Sequence, residues 1–313
     1  MIAIPDSPST RERGAPAAGA NPSVGVAMPS NEGKIGALHV VATGVALVAA
    51  ATGVNFASGN AMALCCGAIL LLGLPHGALD MVALLHAGRA RVRAIIFYLA
   101  LAGAMAAFWW VVPGVALLVF FAIAIGHFGE DWPGPGMIAH GAALALLAAP
   151  LLFHRGAIDA LFAIIAGPAA IPPLADSLLL VAPVALGAGL TACALLWSAG
   201  RPMLAASSAA ALAGMVLLPP LAGFALSFGL FHSPRQFARG LTALGSGRAW
   251  IGPVASASAA AALLVVTIVW SGSAQPISAG IVRATFIVLS VLTVPHMLLP
   301  LILRSARLGV IMR

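Results

Sequence analysis

Charge is what this sequence has least of. Only 7% of its residues are Asp, Glu, Lys or Arg, against roughly 25% in an ordinary soluble domain. So little charge cannot cover a water-facing surface, and an ordinary soluble fold is excluded. Cysteine is scarce as well. Cys65, Cys66 and Cys193 are the only three; they stand at no metal-ligand spacing and supply neither a disulfide framework nor a thiolate site. Also missing are the short segments of alternating polarity that mark a membrane β-barrel, a fixed-period repeat, and the basic start and apolar core of a signal peptide.

What is present is apolar. Hydrophobic residues make up 62% of the chain and the mean hydropathy is +1.08. They fall in continuous runs of about twenty residues, the length at which an α-helix crosses the hydrocarbon core. The expected fold is therefore all-α, a polytopic transmembrane helical bundle of about 8–10 spans. A net charge of +7 and a pI near 11.0 could point to nucleic acid. The basic residues, however, sit at the ends of apolar runs, where they act as topology signals, and no nucleic-acid partner is expected.

Residues 1–33, rich in Pro, Ser, Gly and Ala, are expected to form a disordered cytoplasmic tail, and 34–313 a single transmembrane helical domain. Spans are expected near 35–57, 61–88, 94–112, 114–132, 137–154, 176–199, 203–218, 220–242, 253–271 and 281–303. The stretch Ala157 to Ala170 is too short and too closely flanked by Gly and Pro for a crossing, and reads as re-entrant or interfacial. With a cytoplasmic N-terminus, only Arg155 and Arg283 then fall on the outer side, which satisfies the positive-inside rule. The expected location is the cell (inner or plasma) membrane.

Against this apolar background, ionisable residues at membrane depth draw notice, since each costs roughly 2.5–3.5 kcal/mol on insertion scales and marks function. His76 and Asp80 are four residues apart, as are His127 and Asp131, so each pair shares a helix face. His232 and Gln236 repeat the spacing, and His296 lies within a fourth span. All four histidines fall about 12–15 residues beyond the outer end of their spans, roughly 18–22 Å deep, so one layer can hold them. They read as ligands of a single metal ion. Asp80 and Asp131 would fix ring orientation, each for its own histidine or for a neighbour across the bundle. An all-histidine set suits Fe, Zn, Cu or Ni. Phe120, Phe121, Phe128, Trp132, Phe228 and Phe231 surround this layer, most of them as bundle packing. His39 and His140 start spans and His86 and His154 end them. Arg235 reads as a topology anchor within reach of Asp131.

Pro75-His76-Gly77-Ala78-x-Asp80, His127-Phe128-Gly129-x-Asp131, Phe231-His232-Ser233-x-Arg235 and Pro295-His296-x-x-Leu299, in this order, resemble the Brp/Blh family of bacterial and archaeal β-carotene cleavage oxygenases. The resemblance runs from about His39 to Arg304. It implies an integral membrane enzyme that uses Fe(2+) and O2 to split β-carotene at its central double bond into all-trans-retinal, which in the family typically serves a microbial rhodopsin. His76, His127, His232 and His296 would be the metal ligands, with Asp80, Asp131 and Gln236 as the polar side chains beside them. The family's third motif usually carries a second histidine where Gln236 stands, and an amide is a poor substitute for imidazole on a transition metal. Two other functions fit the residues alone: a proton or metal-ion transporter with an intramembrane His/Asp relay, and a carotenoid- or retinal-binding relative without catalysis.

Overall fold

The computed structural model describes residues 32–244, 251–271 and 276–311. Most of the expected N-terminal tail lies outside the described residues. The described chain is almost wholly helical, with no strand. Its α-helices are α1 (Glu32–Ala51), α2 (Gly59–Leu85), α3 (Arg91–Val111), α4 (Pro113–Gly129), α5 (Gly136–Ala148), α6 (Leu151–Ala166), α7 (Ile171–Ser198), α8 (Pro202–Leu217), α9 (Pro220–Leu226), α10 (Ser233–Leu244), α11 (Ile251–Ser271) and α12 (Ile277–Ile311).

Their boundaries have local causes. The Ser58 hydroxyl accepts the Ala61 amide and caps α2, meeting one of the donors a helix start leaves free. Pro113, Pro202 and Pro220 each occupy a first turn, where a missing N–H costs nothing. Five helical segments are long and apolar enough to cross a membrane: Glu32–Ala51, Gly59–Leu85, Gly88–Val111, Pro173–Ser198 and Ile277–Ser305. The chain is a multi-pass membrane protein, and its outward faces carry the apolar side chains that lipid requires, such as Leu64, Trp110 and Leu180.

Two expected spans are not continuous helices. The 137–154 span stops at Ala148, and α5 and α6 meet at a bend of 62°. Pro150 has no amide to continue the ladder, and the backbone leaves helical geometry at His154, with φ −128° and ψ 32°. Most of the 157–170 stretch is thus the second arm of a bent pair. The 220–242 span is broken differently: between α9 and α10, Ser227–His232 form a π-helical turn.

Helix α2 is the hub of the bundle. It packs against α9, α10, α11, α12 and the π turn, while α12 reaches on to α3, α4 and α6, and α1 lies along α8. Gly73 of α2 permits the tightest of these approaches, because a β-carbon there would collide with the Phe228 ring of the π turn. The closeness of these two segments brings His76 and His232 together.

Candidate metal centre

Each of the four histidines sits beside an interruption of regular helix. Pro75 and Pro295 directly precede His76 and His296, His127 is in the last turn of α4, and His232 closes the π turn. π turns recur at functional sites because they re-aim side chains that a regular helix would point elsewhere. The rings converge. His127 and His232 have centroids 4.5 Å apart, His127 and His296 4.9 Å, and His76 lies 5.2 Å from His232 and 5.4 Å from His296. One nitrogen from each of His76, His127 and His232 falls within 4.8 Å of the other two. His76, His127 and His232 are buried and His296 is half-buried.

Hydrogen bonds around the cluster determine which ring nitrogen faces its centre. The Ser233 hydroxyl donates to the Leu72 and Gly73 carbonyls at 2.6 and 3.1 Å, in the turn where Pro75 has no amide to give. With its one proton so placed, Ser233 accepts from His76 Nδ1–H at 3.1 Å, and His76 Nε2 keeps its lone pair. His232 Nδ1 donates to Asp131 Oδ2 at 2.6 Å. His296 Nδ1 lies 2.8 and 2.9 Å from the two oxygens of Asp80. A carboxylate behind a ligating imidazole fixes its tautomer in this way.

His127 differs. Its Nε2 lies 3.0 Å from His232 Nε2, and its Nδ1 is buried without a hydrogen-bond partner. Without a cation, two facing Nε2 atoms need a shared proton, which His127 must supply, since His232 carries its own on Nδ1. A cation would accept both lone pairs and move the His127 proton to Nδ1, towards the Glu130 carboxylate 3.9 Å away. The orphaned nitrogen and the close Nε2 pair therefore fit a bound transition-metal ion, for which neutral imidazoles are the commonest ligands.

Both aspartates serve a neighbouring helix. Asp80, on the part of α2 that follows Pro75, turns to α12 and also accepts the Tyr98 hydroxyl of α3 at 3.0 Å. Helix α4 ends at Gly129, and the chain tightens into three-residue turns through Trp132, which swings Asp131 off the His127 face towards His232. Gln236 donates to Asp131 Oδ1 at 3.2 Å; it meets the carboxylate behind a ring, not a ring. Arg235 does not pair with Asp131. Arg239 is the nearer cation, with Nη1 3.7 Å from Asp131 Oδ1. Tyr98 has no place among the expected site residues, Ser233 enters there only as part of the third motif, and Arg239 reads with Arg235 as a topology anchor. Tyr98, the only tyrosine in the chain, was the one with a detectable signal.

An apolar cavity of about 210 Å³ opens onto the centre. His76, His127 and His296 present their edges to it, and Phe120, Phe128, Phe224 and Phe228 wall it. His232 lies behind, against a smaller space. Trp132 packs 5.6 Å from Phe231 and lines none of these spaces. Phe224, stacked on Phe228 at 5.5 Å, takes the lining place expected of Phe231. The outlying histidines serve the backbone, His86 meeting Val82 O, His140 Gly136 O and His154 Val216 O. His39 instead is fully buried and bonded to Ser207.

Four converging intramembrane imidazoles, two of them backed by carboxylates, beside an apolar chamber make a donor set of the kind that suits a metal ion in a membrane-embedded enzyme. The family comparison agrees with this class. Residues 67–304 match the model of the β-carotene 15,15'-dioxygenase family, and the chain belongs to that family. It is 30% identical over 262 residues to the β-carotene 15,15'-dioxygenase of uncultured marine bacterium 66A03, covering 74% of this chain and 90% of that protein. A probable β-carotene 15,15'-dioxygenase Blh of Halobacterium salinarum is 36% identical over 100 residues, 30% of this chain and 29% of that one. No solved structure matches the chain significantly.

Proposed function

We propose that this enzyme cleaves β-carotene at its central double bond with O2, giving two molecules of all-trans-retinal, and that Fe(2+) held by His76, His127, His232 and His296 is its cofactor. The observation that carries the reading is that His76, His127 and His232 bring ring nitrogens within 4.8 Å of one another, with the His296 ring centroid 4.9 Å from that of His127, while Ser233, Asp131 and Asp80 claim the Nδ1 atoms of His76, His232 and His296. When bound, an iron ion with open coordination positions supplies the activation of O2. The protein contributes orientation and dryness. Asp80 and Asp131 hold their imidazoles in the tautomer that offers Nε2. The phenyl rings of Phe120, Phe128, Phe224 and Phe228 offer an apolar, π-rich wall to a polyene and exclude water from its double bonds.

The stoichiometry suits such a chamber. Each carbon of the broken double bond receives one oxygen atom, so O2 is consumed whole and neither a proton nor an external electron is needed. β-Carotene and retinal are lipid-soluble, so substrate enters from the bilayer and product returns to it. A microbial rhodopsin would be a fitting consumer of the aldehyde.

The test is expression of the chain in carotene-producing cells, with retinal and bound metal measured together. Retinal should form, iron should co-purify near one per chain, and Ala at His76, His127, His232 or His296 should abolish product and deplete iron. Wild-type protein that carries no transition metal, or four Ala variants that all retain it, would sink the assignment.

A further inference from the structure

The centre described above makes no use of the Arg235 guanidinium, although it is 3% exposed and forms no ion pair among the described residues. An unpaired buried cation is costly, so its contacts must account for it. Nη1 donates to the Phe231 carbonyl at 2.8 Å and Nη2 to the Ser207 hydroxyl at 3.0 Å. The guanidinium carbon lies 4.0 Å from the centroid of the Phe231 ring, a stacking contact that favours a planar cation. Ser207, on α8, also meets His39 Nδ1 of α1 at 3.0 Å, and both residues are fully buried. A single chain of polar contacts thus runs from α1 through α8 to the segment that ends in His232.

The carbonyl gives this chain its purpose. The Ser233 amide bonds to Phe228 O, five residues back, which is the mark of a π turn. Such a turn inserts a residue into the helix and disturbs the regular ladder of carbonyls. Phe231 O lies inside it, and the Arg235 side chain donates to that oxygen while gripping the ring of the same residue. Relaxation of Ser227–His232 into α geometry would rotate His232 relative to α9 by roughly the 100° that one residue contributes to a helix, off His127 and Asp131.

We propose that Arg235, anchored through Ser207 and His39 to α8 and α1, is the positioning residue that holds the π turn and thereby aims His232 into the centre. The inference rests on the metal reading only for what His232 serves; the brace itself is a claim about the backbone of Ser227–His232.

The experiment compares purified full-length wild type with Arg235→Met, Arg235→Lys and Ser207→Ala. Two quantities are read: amide hydrogen exchange over residues 227–235, and the affinity and visible absorption of added cobalt(II). In Arg235→Met, exchange in that segment should be about ten-fold faster while peptides of α3 and α7 keep their wild-type rates. Cobalt should bind about 10–100-fold more weakly, with altered absorption bands. Lysine should not rescue, because one ammonium cannot stack on the ring and serve both acceptors. Ser207→Ala should shift both readouts the same way by less. Wild-type exchange together with a wild-type cobalt spectrum in Arg235→Met overturns the proposal. If Arg235→Met does not fold, Ser207→Ala is judged by the same criteria. If wild-type protein binds no cobalt, the metal reading fails, and exchange over 227–235 alone decides the brace.

Discussion

Asp80 and His296 join α2 to α12. Nδ1 of His296 lies 2.8 and 2.9 Å from the two carboxylate oxygens of Asp80, and Tyr98 of α3 donates to the same carboxylate. One buried carboxylate therefore ties three helices and sets the tautomer of a ring that faces the cavity. His76, four residues before Asp80 on its own helix, is held instead by Ser233.

The first prediction follows from this division of labour. Asp80→Asn and Asp131→Asn should each fold but lose about 10–100-fold in metal affinity, the usual cost of removing a partner behind a ligand. Tyr98→Phe should lose less, since His296 keeps its carboxylate. Chelator competition against purified protein, with retinal formation alongside, measures all three. Affinities within error of wild type in both Asn variants would reassign the aspartates to helix packing.

The second concerns the approach of α2 to the π turn. Gly73→Ala places a β-carbon in the space of the Phe228 ring, and overpacking of this kind typically costs about 1–3 kcal/mol. Thermal unfolding in detergent should show the loss, and retinal yield should fall with it as His76 is pushed from His232. Phe228→Leu should restore stability to the Gly73→Ala background. Additive effects of the two changes would show that the contact is not the cause.

The histidine layer was legible because charge is so rare here that every intramembrane ionisable residue stands out, and because span length converts position into depth. What the sequence could not show were the partners. Four-residue spacing assumes an unbroken helix, yet α4 ends two residues after His127 and the 220–242 segment passes through a π turn, so Asp131 and His232 take directions that a helical wheel does not give. The contacts of Ser233 and Arg239 are hidden for the same reason, being set by which helix lies opposite. The burial of His39 is not legible from its place near the start of a span. Depth along a helix says nothing about which face is turned inward, and α1 turns that face to Ser207 and Phe231. The bend at Pro150 was partly legible, since the segment beyond it was already too short to cross.

The third prediction concerns Gln236, where the family motif and this chain part. Its amide donates to Asp131 Oδ1 while Asp131 Oδ2 holds His232, so residue 236 acts through the carboxylate, one step removed from the ring nitrogens that converge. An imidazole at this position can donate to the same oxygen, whereas an aliphatic side chain cannot. Gln236→His should therefore keep metal affinity within about three-fold of wild type, and Gln236→Leu should lower it about ten-fold, at the mild end of what a lost outer partner costs. Cobalt(II) titration with its visible spectrum separates the outcomes. If Gln236→His instead binds the ion much more tightly and the spectrum shows an added nitrogen donor, position 236 is a ligand position that this chain has given up. The natural site would then be a histidine set reduced by one, with His296 making up the number.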